Sequence, residues 1–154
     1  MWKMFGEWMA TADFGNKRVY QKFIPTNNIQ IKGVRTYVIF YNTPTLTSFN
    51  MKLYANVSGA PGGLIATSTN APTKASIITL SHGVKEIYFD FNNIPLVGGE
   101  TYHFCLDGTG YTGTTSSHVA WKHSFPDPAY QTNVDMSREG AYVSPFDITI
   151  IGSE

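Results

Sequence analysis

The sequence predicts an all-β protein, a single antiparallel β-sandwich or barrel, and three observations predict it. Several segments alternate apolar and polar residues with a period of two, the pattern of a half-buried strand. Clusters of Gly, Pro, Asn, Asp and Ser separate these segments at short intervals. No stretch of ten or more residues shows the 3.6-residue period of an amphipathic helix, which sets βαβ architectures aside. About eight or nine strands are expected.

Taken in chain order, residues 1–18 read as an N-terminal arm and residues 19–154 as one sandwich domain. Trp2, Phe5, Trp8 and Met9 make the arm aromatic and apolar. It either packs back on its own core or docks on a neighbouring protein, because a small domain rarely leaves two Trp on a free end. Lys3, Gly6 and Glu7 interrupt the apolar run. Neither a signal peptide nor a membrane-spanning helix is therefore expected there.

Val19 to Ile24 is the first candidate strand. Residues 29–41 form a longer one, whose apolar parity shifts at Gly33 and predicts a bulge. Residues 48–57 give the clearest alternation: Phe49, Met51, Leu53, Ala55 and Val57 inward, Ser48, Asn50, Lys52, Tyr54 and Asn56 outward. Ser58 to Gly63 reads as a turn or loop, and Ile77 to Leu80 as a short strand. In residues 84–91, Ile87, Phe89 and Phe91 face inward and Tyr88 and Asp90 outward. Asn92 to Pro95 and Gly98-Gly99 are turn formers.

Residues 100–107 place Tyr102, Phe104 and Leu106 on one face and Thr101, His103, Cys105 and Asp107 on the other, solvent-facing one. Gly99 supplies a tight turn before this strand, and Tyr102 enters the core with its hydroxyl free to meet a backbone group. The Gly- and Thr-rich stretch 108–117 is a loop. His118 to His123 is a further strand. Residues 125–145 show no strand pattern, a length of irregular chain that is often functional. Phe146, Ile148 and Ile150 close the series as inward residues of a last strand.

Composition narrows the function. The 154 residues include 11 basic and 11 acidic ones, for a net charge of zero, and charged residues make up only 14%. With 10 Phe, 9 Tyr and 3 Trp, aromatic residues equal charged ones in number. A nucleic-acid binder shows a basic excess or stripe, and an anionic membrane surface attracts basic segments. Neither partner is expected here. A neutral, aromatic-bearing surface instead suits a protein partner, since little charge is desolvated on contact.

The motifs then resemble a known module. Gln21-Lys22-Phe23-Ile24-Pro25 leads into the long strand at 29–41. Leu53-Tyr54-Ala55 precedes Ala60-Pro61-Gly62-Gly63-Leu64-Ile65-Ala66-Thr67-Ser68. Ile94-Pro95-Leu96-Val97-Gly98-Gly99-Glu100-Thr101-Tyr102, Val119-Ala120-Trp121 and Ala129-Tyr130 follow. Over residues 20–131 this resembles the jelly-roll β-sandwich module of bacteriophage virion and tail proteins and bacterial surface proteins. A Pro-Gly hairpin and a Leu-x-x-Gly-x-x-Tyr corner recur in that family. The resemblance implies a jelly-roll-like sandwich with receptor- or glycan-binding, capsid or tail roles. Family members are usually appended to larger proteins, whereas here the module is expected to stand alone.

No catalytic signature accompanies it. The Gly-x-Ser-x-Gly elbow and the phosphate-binding glycine loops are missing, and no enzyme, cofactor or metal site is expected. His103, Cys105 and Asp107 share a strand face, and Asp90, Asn92, Asn93 and Asp107 could offer oxygens to calcium, but strand-surface and turn roles account for both sets. Asp90 with Glu100 or Asp107 is the one carboxylate pairing to weigh for glycoside hydrolysis.

The expectation is therefore a non-enzymatic virion protein, a capsid decoration (cement) or small tail accessory protein. Its arm, through Trp2, Phe5, Trp8 and Met9, and its sheet edges would bind larger subunits such as the major capsid protein. A homo-oligomer, for instance a trimer at a symmetric site, fits that setting. The alternative is a carbohydrate-binding module for host attachment, in which Tyr54, Tyr88 and Tyr111 offer rings to sugars or to an interface.

Overall fold

A computed structural model describes residues 2–4, 19–42, 45–77, 84–109, 118–124, 134–138 and 148–153. The strands are β1 (Trp2–Met4), β2 (Val19–Phe23), β3 (Ile29–Tyr41), β4 (Ser48–Val57), β5 (Ala60–Thr67), β6 (Val84–Leu96), β7 (Tyr102–Thr109), β8 (His118–Ser124), β9 (Val134–Arg138) and β10 (Ile148–Ser153). One helical turn, α1 (Lys74–Ile77), lies between β5 and β6.

The strands form two antiparallel sheets. The first has the order β5-β4-β7-β2-β9. The second is built on β3, which pairs with β6 over Ile29–Ile39. The opposite edge of β3 is shared by β10, over Gln30–Thr36, and β8, over Val38–Tyr41. β1 lies outside β8, with Trp2 opposite Ser124.

Phe40, Phe49, Phe89, Phe104, Ile31, Met51 and Leu53 are fully buried between the sheets. Rings from opposite sheets meet there: Phe40 and Phe49 at 6.0 Å, Phe91 and Phe104 at 6.4 Å, both edge-on. Edge-to-face contact is the geometry aromatic quadrupoles favour. Each fully buried side chain of this size contributes about 1.5–3 kcal/mol.

The alternation in residues 84–91 appears as read from the sequence, and that of β4 holds through Leu53. Beyond it Tyr54, expected outward, is buried, and Val57, expected inward, is exposed, because β4 runs past the core into the Ser58-Gly59 turn. Phe49, Met51 and Leu53 are buried, as are Ile87, Phe89 and Phe91, while Tyr88 and Asp90 are exposed. The Gly33 irregularity is present too, but the surplus residues sit on the partner. Register jumps from Ile31↔Ile94 to Gly33↔Asp90, so β6 carries the extra chain. Asn93 takes a left-handed φ of 48° within it. The turn formers Asn92 and Asn93 therefore bend a strand instead of ending it, and β6 runs on to Leu96.

The corner before β7 matches its expectation. Gly99 has φ +81°, and its N–H donates to Pro25 O at 2.7 Å. The Tyr102 hydroxyl accepts from Val97 N–H at 2.9 Å.

Four segments differ from the sequence reading. Only Ser58 and Gly59 turn, with φ of 53° and 86°, so β5 starts at Ala60, inside the expected loop. Two left-handed residues form the tight hairpin that joins antiparallel strands. Ile77 ends α1 instead of opening a strand, and residues 78–80 lie outside the described set. α1 is begun by a reciprocal pair: Ser76 N–H donates to Thr73 Oγ1 at 3.2 Å and Thr73 N–H to Ser76 Oγ at 3.1 Å. This is the geometry of a capping box with Ser in the acceptor role. β9 lies within 125–145, where no strand was expected, and pairs with β2 from Val19↔Arg138 to Phe23↔Val134. β1 lies within the expected arm. Phe146, an expected core residue, is outside the described residues.

The outer edge of β6 is closed by the chain that follows β5. Thr69 N–H donates to Asp90 O at 2.8 Å. Asn70 Nδ2 donates to Tyr88 O at 2.9 Å, and Asn70 Oδ1 accepts from Asp90 N–H at 2.6 Å. One side-chain amide thus takes the place of a neighbouring strand.

Candidate functional site

Two outward sheet faces hold Tyr54 and Tyr88, two of the expected binding aromatics. On the first sheet, register sets Tyr54 beside His103 and Lys52 beside Cys105 from β4. From β2 it sets Tyr20 beside Cys105 and Lys22 beside His103. Tyr20 and Tyr54 reach toward each other from opposite sides of β7, and their rings meet edge-on at 5.5 Å.

This face is not the open polar surface the alternation predicts. His103 is 1% exposed and Cys105 0%. Both belong to the central strand of the sheet, between β4 and β2, and both side chains are covered. Tyr54 is 8% exposed. Its ring is engaged with Tyr20 and presents no free face for a sugar.

His103 Nε2 donates to Asn56 Oδ1 at 3.0 Å, which leaves Nδ1 as the unprotonated nitrogen. Nδ1 is buried and has no hydrogen-bond partner. Burial first, and the nearby Lys22 ammonium second, hold the imidazole below its ordinary pKa of 6.5. At neutral pH it is a neutral group. Asp107, also on this face, is held by Lys52 Nζ at 2.5 Å. Among the described residues no group of three His, Cys, Asp or Glu side chains is placed to hold a metal ion.

Asp90 and Asp107 do not form a catalytic pair. Asp90 faces outward from the second sheet and Asp107 outward from the first, so the hydrophobic core lies between them.

On the second sheet the outward residues are accessible. Tyr88 is 40% exposed. Its ring lies over Gly33: a Cβ there would sit 2.6 Å from Tyr88 Cζ and 2.8 Å from Cε2, closer than real contacts allow. Arg35 is opposite Tyr88 in the ladder, and Glu86 opposite Tyr37. The Tyr37 hydroxyl donates to Glu86 Oε2 at 2.8 Å. Arg35 Nε is 3.9 Å from the same oxygen, beyond hydrogen-bond length. Ile151 on β10, opposite Gly33, is 38% exposed. The sequence points to Tyr88 but not to Arg35, Glu86 or Ile151, because only the long-range pairing of β3 with β6 and β10 brings them together.

Of the expected arm residues, Trp2 begins β1, paired through its backbone. Phe5, Trp8 and Met9, like Tyr111, lie outside the described residues.

A third surface was not singled out from the sequence. β5 is the outer strand of the first sheet and has no charged residue. Leu64 and Ile65 on it are 54% and 40% exposed, and Val57 at the end of β4 is 59% exposed.

A scan against protein-family models finds no match to this chain, and a search of curated proteins finds none either. No helix among the described residues is long and apolar enough to cross a membrane.

Proposed function

We propose that this chain is a non-enzymatic structural protein of a bacteriophage virion, a jelly-roll β-sandwich that acts as a capsid decoration (cement) or small tail accessory protein. It binds larger virion subunits such as the major capsid protein, and three copies at a symmetric site would suit that role. The observation that carries the reading is the β5 edge. An uncharged outer strand with Leu64, Ile65 and Val57 exposed beside it is a template for strand addition by a partner. Crossing between sheets supports the jelly-roll part of the reading. The chain changes sheet at each step from β1 to β10 except from β4 to β5.

The aromatic arm, residues 1–18, supplies a second contact in this reading. Edge pairing gives main-chain hydrogen bonds, and Trp2, Phe5, Trp8 and Met9 add apolar anchors of the kind that dominate interfaces.

Co-sedimentation of the protein with phage particles stripped of it tests the proposal. The parent is expected to rebind, and the Leu64→Lys/Ile65→Lys variant to rebind at least tenfold more weakly while keeping its circular dichroism spectrum. Failure of the parent to bind, or equal binding by the variant, overturns the edge as the attachment surface.

A second reading, a carbohydrate-binding module for host attachment, is favoured by one observation. Tyr88 is an exposed ring held over Gly33 on an outward sheet face.

A further inference from the structure

We infer that the outer face of the second sheet is a site for a single neutral hexopyranose residue, built on Tyr88, Arg35 and Glu86. This rests on the carbohydrate reading and is independent of virion attachment.

The ring is fixed before any ligand arrives. Asn70 holds the backbone that follows it, at Tyr88 O and Asp90 N. Gly33 lets the ring lie in the space a side chain would fill. A rigid aromatic surface loses little conformational freedom on contact, which lowers the cost of binding. The axial C–H groups of a pyranose carry slight positive charge and meet the negative face of an aromatic ring favourably. Ile151, across Gly33 from the tyrosine strand, extends the apolar floor.

Beside the ring stand a cation and an anion that are not hydrogen-bonded to each other. Arg35 and Glu86 side chains are 41% and 50% exposed, and the gap between Nε and Oε2 is 3.9 Å. Nε itself is buried and makes no hydrogen bond. Glu86 is kept in place by the Tyr37 hydroxyl at 2.8 Å. A carboxylate only accepts hydrogen bonds and a guanidinium only donates them. Two neighbouring hydroxyls of a sugar match this pair, one donating to Glu86 and the next accepting from Arg35. The pair sums to zero charge, so the complementary ligand is neutral. An acidic sugar would set its carboxylate against Glu86.

The test is an NMR titration of the full chain with methyl glycosides of glucose, galactose and mannose, and with sialic acid as the acidic comparison. The expected result is binding of at least one neutral glycoside, with amide shifts centred on residues 33–37, 86–90 and 149–151. Tyr88→Ala should weaken it at least tenfold. Tyr88→Leu, which keeps an apolar contact over Gly33, should do the same while the spectrum stays folded. Glu86→Gln should weaken it roughly three- to tenfold, the loss of one charge-assisted hydrogen bond.

Preference for sialic acid overturns the neutral-ligand assignment. Glycoside binding that survives Tyr88→Leu, or shifts centred on the first sheet, overturns this site while leaving the carbohydrate reading in place. No binding of any glycoside, in solution or on an array of neutral oligosaccharides, overturns both. Particle rebinding is unaffected by each of these outcomes, and shifts produced instead by an unglycosylated peptide ligand would reassign the face to protein recognition.

Discussion

His103 holds a neutral imidazole in the middle of a sheet, hydrogen-bonded through Nε2 to Asn56 and through Nδ1 to nothing. The groups around it give a proton no welcome. Lys22 from β2 and Lys52 from β4 are cationic, and Asp107 on β7 is already engaged by Lys52. On the far side of β2, the register sets Asp135 of β9 opposite Lys22. Tyr20, Tyr54 and Cys105 complete the surroundings. Because the folded pKa is lowered, the unfolded chain binds the proton more readily. Folding stability is then independent of this group above about pH 6.5 and falls as pH drops below it, until the folded imidazole also protonates. Urea denaturation at a series of pH values between 7.5 and 5 should show that slope, and His103→Phe should flatten it. An unchanged slope in the variant would mean that other groups carry the acid sensitivity. A second residue-scale expectation concerns Gly33. Gly33→Ala must displace the Tyr88 ring, because its Cβ would occupy the ring's place. The ring is the outer end of an exposed side chain and can swing into solvent, so stability should change by no more than about 0.5 kcal/mol, with an unchanged m-value in urea, while the ring loses its place over β3.

Asn70 shows the same economy at the level of an element. Its amide satisfies one acceptor and one donor on the open edge of β6. Asn70→Ala should lower stability by about 1–2 kcal/mol and leave that edge free to pair with other chains. Thermal melting checks the first effect and size-exclusion chromatography the second; a variant as stable and as monodisperse as the parent would show the plug to be dispensable. Elements whose residues divide cleanly between core and solvent were legible in the sequence. The first half of β6 is one, because Ile87, Phe89 and Phe91 reach the interior while Glu86, Tyr88 and Asp90 are exposed. β5 was not, because an outer strand buries little and Ala60-Pro61-Gly62-Gly63 carries no alternation. On β7 the alternation placed Phe104 and Leu106 correctly but misjudged the other face. Period two separates the two sides of a strand; it does not say that the second side is wet. There His103 and Cys105 lie under neighbours contributed by β2 and β4, and only long-range register reveals that cover. The Tyr88 site was half legible for the same reason: its ring sits on an outward position of β6, whereas Arg35 and Ile151 come from β3 and β10.

Across the whole molecule, strands distant in sequence are neighbours in space. β3 is joined to β6, β8 and β10, and β2 to β7 and β9, while β4–β5 is the one sequential hairpin among the described strands. Such topology closes long loops before its contacts form, so folding in the millisecond-to-second range is expected. It also makes the two ends of the chain unequal. β1 adds three residues to the outside of β8, whereas β10 lies against the central strand β3 and places Ile150 against the core. Removing residues 148–154 should therefore abolish the cooperative thermal transition. Removing residues 1–18 should leave it, with the melting temperature lowered by a few degrees for each kcal/mol lost. If the arm is the partner contact proposed above, the same truncation should abolish rebinding to stripped particles although the domain remains folded. Loss of the thermal transition in the 1–18 truncation would show that Trp2, Phe5 and Trp8 act in holding the domain together. Attachment would then have to run through the β5 edge alone, and Leu64→Lys/Ile65→Lys in the full chain would become its decisive variant.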